Sequence, residues 1–297
     1  MRKLTAIAAE SDRGRLVKYF VRGSMGVSYR QFSALKGREG LLVNAMPVHA
    51  NHPLLPGDVV EVLLEDDAPQ VEVIPEPGDV DVVYEDNDLY ILDKPAPLAC
   101  QCSSRQPMHT LENRLAWRYR GQEGFVFRPL NRLDRGTSGL MAAAKHAHAC
   151  QRMQRQLHSD SFVREYLAVV EGALETPGVV DQPIAKAPGA TVRRMVDAEH
   201  GKRAVTHYEP VRQSNGRTLV RLRLETGRTH QIRVHMAWLG HPVAGDFLYG
   251  TELAQLPGRF ALHSARIALL HPVTGARIEC TSPLPEALER CLERQDG

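Results

Sequence analysis

The chain has 297 residues, a formal charge of +2, and apolar and charged fractions of 43% and 24%, the balance of an ordinary globular protein with room for about two domains. No apolar run approaches the roughly 18 residues of a transmembrane helix, and the basic start at Arg2-Lys3 meets Glu10 and Asp12 before any apolar leader develops, so neither a membrane span nor a signal peptide is expected. Five cysteines, an odd number scattered through a long chain, point to the reducing cytoplasm rather than to a disulfide framework.

In chain order, residues 1–63 alternate short apolar runs with glycines. Leu16 to Val21 precedes a Gly-Ser-Met-Gly break at 23–26. Ser28 to Leu35 spaces Tyr29, Phe32 and Leu35 three apart, which predicts a short helix. Gly40 to Asn44 reads as a strand, and Pro56-Gly57-Asp58 as a turn into the strand Val59 to Leu63. Residues 64–79, acidic and punctuated by Pro69, Pro75 and Pro77, read as a linker. The remainder, 80–297, begins with the strand Leu89 to Leu92. The segment Ala142 to Leu157, rich in Ala, His, Gln and Arg, reads as a helix, and Tyr166 to Val170 as another strand. Val220, Leu222 and Leu224 alternate with Arg221 and Arg223, a half-buried strand with a basic outer face that ends at Thr226-Gly227. The larger domain is therefore expected to be mixed α+β, built on a predominantly antiparallel sheet.

The modest net charge hides a polarised distribution. From Glu61 to Asp93 there are twelve Asp or Glu and no Lys or Arg; from Lys202 to His235 there are eight Lys or Arg against Glu209 and Glu225. A basic face suited to phosphates is one reading, and two solvated faces of opposite sign is the other.

Two clusters carry chemistry. In Asn131-Arg-Leu-Asp-Arg-Gly-Thr-Ser-Gly139, the Asp134 carboxylate stands between Arg132 and Arg135. Nearby cations keep a carboxylate ionised, so Asp134 suits a nucleophile or base, and the arginines suit a polyanionic substrate. A salt-bridged surface turn is the rival. The second cluster is Thr226-Gly-Arg-Thr-His-Gln-Ile-Arg-Val-His235. With a helix from near Thr229, Gln231 and His235 share a face that could grip a phosphate or carboxylate. The planar fork of Arg228 makes it the candidate partner for Asp134. A capped helix with surface cations is the alternative.

Together the clusters resemble the RluA/RluD family of pseudouridine synthases, whose usual motif is His-Arg-Leu-Asp-Arg-x-Thr-Ser-Gly. The likeness continues through Glu85-Asp86 with Lys94-Pro95, Arg164 to Ala168 with Gly172, Gly201 to Thr206, Leu262-His263 and His271-Pro272, in family order. Val43-Asn44 and Pro56-Gly57-Asp58 give residues 1–63 a resemblance to the S4-like RNA-binding module of ribosomal proteins. The resemblance implies isomerisation of uridine in RNA without a cofactor: uracil is detached at nitrogen, rotated and rejoined through carbon 5. It implies Asp134 as the essential carboxylate, Tyr166 stacked on the uracil and Arg228 holding Asp134. Ile232 would lie on the base's other side, and Arg132 would fill the space left by the extracted nucleotide. Arg135, Arg221 and Arg223 would bind RNA phosphates, with ribosomal or transfer RNA as substrate. No DNA or membrane partner and no metal are expected, and a monomer is the default. Two positions depart from the family pattern: Asn131 stands for the usual His, and Arg164 for the usual Lys.

Other readings are weaker. Cys100-x-Cys102 with His109, and His146-x-His148 with Cys150, lack zinc-site spacing. The isolated histidines are expected at the surface, and Trp117 and Trp238 in the core. A glycosidase would ordinarily need two paired carboxylates. A non-catalytic RNA-binding or ribosome-assembly factor retaining the fold is the alternative function.

Overall fold

The computed structural model describes residues 2–35, 40–65, 73–121, 125–157 and 159–293. Its first part folds around β1 (Arg2–Ile7), α1 (Val17–Gly23), α2 (Tyr29–Leu35), β2 (Leu41–Val43), β3 (Met46–Pro47) and β4 (Val59–Leu64). The strands form a sheet in the order β1-β4-β2-β3. The alternation of β4 sends Val60, Val62 and Leu64 inward, where they meet Phe20, Val21, Phe32 and Leu35 in a core separate from the rest of the chain. The linker residues 66–72 lie outside the described residues. Residues 73–79 are tied to the larger part of the chain: Asn113 donates to Ile74 O at 2.9 Å and accepts from Glu76 N at 3.0 Å.

That larger part contains β5 (Asp81–Glu85), β6 (Leu89–Lys94), α3 (Leu111–Arg118), β7 (Arg128–Pro129), β8 (Ser138–Ala144), α4 (Ala147–Gln154) and β9 (Val163–Glu171). After these come β10 (Gly178–Asp181), β11 (Ile184–Lys186), β12 (Arg194–Val196), β13 (Val205–Ser214), β14 (Arg217–Leu224), α5 (Gln231–Trp238), β15 (Leu262–Leu270), β16 (Arg277–Thr281) and α6 (Glu286–Glu289). Ten strands make one sheet, ordered β10-β13-β14-β9-β15-β8-β6-β5, with β16 on β15 and β7 on β8. Among the described pairs only β8 and β15 run parallel. The mixed, mainly antiparallel architecture expected from the sequence is present.

Period-two alternation sorts the side chains into two cores. Tyr90, Leu92, Met141, Ala143, Tyr166, Ala168 and Leu222 face one side with Ile232 and Met236 of α5. Leu89, Ile91, Leu140, Ala142 and Ile267 face the other, with Ala149 and Met153 of α4. The expected helix over 142–157 is corrected here: β8 runs to Ala144 and the helix starts only at Ala147. All seven residues of β8 are buried, because helices and loops cover both faces of this central strand, and such strands lose the polar alternation that marks a strand in sequence. Trp117 and Trp238 are also corrected, being 37% and 52% exposed. Arg120 lies 4.0 Å above the Trp117 ring.

Several histidines expected at the surface are buried, and two of them pair with the acids that precede β6. His146 caps α4 through Ala149 N and meets Asp88 Oδ1 at 2.8 Å; His271 meets Asp86 Oδ2 at 2.8 Å. Arg2, on β1, donates to both Asp88 oxygens at 2.7 and 2.9 Å, pinning the first sheet to the start of β6. Burial raises the Asp88 carboxyl, but the bonds from His146 and Arg2 outweigh it and bring it down to about 2 from 3.8. Its contribution is therefore complete above pH 3.8 and is lost as pH falls towards 2, at a scale of about 1–2 kcal/mol. In urea unfolding, Arg2→Gln is expected to be less stable than wild type at pH 7, and that gap should narrow between pH 4 and 2. A gap independent of pH would show that the pair is not coupled to folding.

Candidate active site

Asp134 sits on the turn that precedes β8, where its carbonyl accepts from Thr137 N at 3.1 Å. Below the turn, Lys94 is fully buried and donates to Pro95 O and Leu98 O at 2.9 and 2.7 Å. Burial brings this ammonium down to about 8. Leu98 N in turn donates to Arg135 O at 2.9 Å, so the backbone beneath the carboxylate is tied to β6.

The guanidinium that meets Asp134 belongs to Arg233, and this corrects the expectation for Arg228. Arg233 Nη1 lies 3.0 Å from Asp134 Oδ2, while Nε and Nη2 grip Asp246 at 2.7 and 2.8 Å. One fork thus bridges two carboxylates, with Phe260 4.0 Å from its carbon. Its side chain is 3% exposed and that of Asp246 is 0%. The reason is helical phase. α5 begins at Gln231, so Arg233 enters the first turn facing the sheet, whereas Arg228 stays in the preceding loop. Arg228 Nε donates instead to Arg203 O at 2.9 Å.

The same turn shows why Gln231 and His235 do not grip a ligand. Gln231 Oε1 accepts from Arg228 N and Thr226 Oγ1 at 2.9 Å each, and its amide donates to Val205 O at 2.9 Å. His235 is fully buried between Thr206 Oγ1 and Gln182 O. These residues attach α5 to β13, and the segment Gly201 to Thr206 supplies the attachment points. His230 adopts a left-handed φ of 57° at the helix start. Tyr249 Oη accepts from Arg194 N at 2.8 Å and lies 2.8 Å from His230 Nδ1. Nε2 of the neutral His230 ring lies 4.0 Å from Asp134 Oδ2. Burial favours this neutral form by lowering the imidazole.

A cleft of about 750 Å³ opens over Asp134 and is lined by Tyr166, Ile232, Arg132, Arg135, Arg228 and His230 among others, a size that admits a nucleoside. Tyr166 points into it from β9 beside Leu222, its register partner on β14. Burial pushes the Tyr166 phenol up, so it stands as a neutral hydroxyl. The sequence thus places Asp134, Tyr166, Ile232, Arg132, Arg135 and Arg228 around one cleft. Arg221 and Arg223 are a correction. They alternate with Leu222 and face away from Tyr166, exposed, with Arg221 3.0 Å from Glu209 and Arg223 3.9 Å from Asp160. The sequence puts Arg233 and His230 in the second cluster and Asp246 just after it, but their roles beside Asp134 come only from their contacts. A charged residue between Ile232 and Val234, with an acid after Gly245, was the available signal.

Comparison with known proteins agrees with this geometry. The family described as RNA pseudouridylate synthase matches residues 88–238. The RNA pseudouridine synthase YjbO of Bacillus subtilis (strain 168) is 34% identical over 278 residues, 92% of this chain and 97% of that protein. The ribosomal large subunit pseudouridine synthase D of Xanthomonas campestris pv. campestris is 39% identical over 258 residues, covering 80% and 76% of the two chains. Human RNA Pseudouridylate Synthase Domain Containing 1 superposes with a TM-score of 0.57 at 25% identity, over 71% of this chain and 90% of that one. With an acid, an arginine, a tyrosine and an isoleucine gathered in one nucleoside-sized cleft, and with relatives of this identity along most of its length, the chain belongs to the RNA pseudouridylate synthase family and is an isomerase of uridine in RNA.

Proposed function

We propose that the substrate is ribosomal RNA and that Asp134 is the group on which the isomerisation turns. The observation that carries this reading is the Asp134–Arg233–Asp246 array facing Tyr166 and Ile232 across the cleft. In the reaction the bond from ribose to uracil N1 breaks, a bond from ribose to C5 forms, and one proton moves from C5 to N1. Atoms and electrons balance without a redox partner, so a carboxylate, a relay hydroxyl and hydrogen-bond donors meet the chemical need. Asp134 acts at the ribose–uracil junction. Tyr166 stacks on the ring and, as a neutral phenol, hands on the C5 proton instead of serving as a standing phenolate. Ile232 closes the opposite side of the base, and Arg132 and Arg135 face the RNA from the exposed rim. Extracting a base costs a few kcal/mol, which phosphate contacts by such cations offset.

Residues 1–63 fit an S4-like RNA-binding module, with 64–79 as the linker to the catalytic domain at 80–297. Its exposed helices carry Lys18 5.0 Å from the Tyr19 ring and Arg22 5.3 Å from the Tyr29 ring. The rings are 53% and 66% exposed, a cation-and-aromatic surface of the kind single-stranded RNA stacks on. The named target of the Xanthomonas relative favours large-subunit ribosomal RNA over transfer RNA. A cytoplasmic monomer with no DNA or membrane partner completes the reading; among the described residues no helix is long and apolar enough to cross a membrane. Mapping pseudouridine in ribosomal and transfer RNA from a deletion strain is expected to reveal missing sites in the large ribosomal subunit, restored by the wild-type protein. Sites missing only from transfer RNA would overturn the ribosomal assignment.

A further inference from the structure

One buried cation lining the cleft has no hydrogen-bond or ion-pair partner among the described residues. Arg164, on β9 two residues from Tyr166 and on the same face, is 6% exposed, yet its side chain makes no hydrogen bond or ion pair with any described residue, and its Nε is buried without an acceptor. Its carbon lies 5.4 Å from the centre of the Phe162 ring. A second orphan donor lines the same cleft: Asn131 Oδ1 accepts from Ala142 N at 2.9 Å, but the buried Nδ2 has no partner. A buried, uncompensated guanidinium is costly, because desolvation is not repaid by any counter-charge. Contrast Arg233, equally buried but flanked by two carboxylates. Both orphans are donors and one is cationic, so the missing partner is an anionic oxygen.

We propose that Arg164, assisted by Asn131, is the seat of a backbone phosphate of the substrate RNA next to the extracted nucleotide. This rests on the RNA-isomerase reading and adds to it a specific anion subsite. A guanidinium fork matches phosphate oxygens bidentately, and Arg164 lines the cleft with its Nη1 beside the bare backbone of Gly227. A Cβ there would come within 3.0 Å of Nη1, so the glycine leaves room for the charged group.

The test uses the full-length enzyme and a synthetic stem-loop RNA carrying the uridine that deletion-strain mapping identifies. Arg164→Met is expected to weaken binding roughly 10- to 30-fold, in line with a charge-assisted contact. The slope of log affinity against log salt should fall by about 0.7 to 1, as for one lost phosphate. Tm should stay level or rise, since an unpaired buried charge has been removed. Arg164→Lys should recover part of the affinity, and Asn131→Asp should weaken binding by introducing a carboxylate. Replacing phosphates singly by neutral methylphosphonate should expose one linkage whose change costs the wild type the same factor and costs Arg164→Met nothing more. Unchanged affinity and salt slope, losses additive at every linkage, or a lowered Tm would overturn the subsite. A loss confined to kcat would also overturn it, placing the guanidinium on the uracil carbonyls. Turnover by the wild type separates these outcomes from failure of the reaction itself, since an inactive wild type would fell the isomerase reading and this proposal together.

Discussion

Asp134→Asn is expected to lower kcat by about 10⁴-fold or more while RNA binding changes by less than about threefold. The substitution keeps size and hydrogen bonding but removes the charge, and an amide can neither attack carbon nor accept a ribose proton at neutral pH. The carboxylate has one oxygen on Arg233 and is about a quarter exposed to the cleft, so its loss leaves the RNA-facing rim at Arg132 and Arg135 in place. Single-turnover pseudouridine formation, set beside a binding isotherm on the same RNA, separates the two effects. If Asp134→Asn retained more than a tenth of wild-type kcat, the carboxylate would not be the reacting group.

Arg233→Ala should be damaging in both stability and rate, and Arg228→Ala in neither. Removing the Arg233 fork leaves Asp246 fully buried and facing Asp134 with no cation between them. Breaking a buried pair in this way costs about 3–5 kcal/mol of stability. Asp134 would also lose the only guanidinium within hydrogen-bonding distance of it among the described residues, and a fall of about 10³-fold in kcat is expected. Arg233→Lys should restore part of the stability and little of the rate, because a single ammonium cannot hold both Asp246 oxygens and reach Asp134 together. Arg228→Ala, which gives up one bond to Arg203 O, is expected to stay within about fivefold of wild type. Chemical unfolding and kcat measured on the three variants decide the matter. Equal damage from Arg228→Ala would falsify the assignment of the pair to Arg233.

What the sequence made legible was chemistry carried by contiguous residues. The Asp134 turn, Tyr166 on a strand and the Gly227 break before a helix could all be read because turn formers and alternation mark them locally. Arg233 could not be chosen over Arg228 on that basis, since both lie in one short basic stretch and the choice depends on where α5 starts. The first helical residue is set by Gln231, whose amide is anchored on Val205 and Thr206, residues distant in sequence. β8 was misread for a related reason. Ala142 to Ala144 favour a helix in isolation, and only burial between two cores makes them a strand. The direction of Arg221 and Arg223 was legible as an outer face, but not that the cleft lies on the other one.

The place of β15 in the sheet has a consequence for how the enzyme comes into being. On one side of it β8 follows the Asp134 turn; on the other β9 carries Tyr166. Among the described residues no other strand touches both, so β15 sets the spacing between acid and aromatic. Gly139, at a φ of 105°, lets the backbones close, since a Cβ there would stand 2.3 Å from Ser264 O. Because β15 (Leu262–Leu270) follows both half-sites in the chain, the acid and the aromatic take their final spacing only when this distant strand docks between β8 and β9.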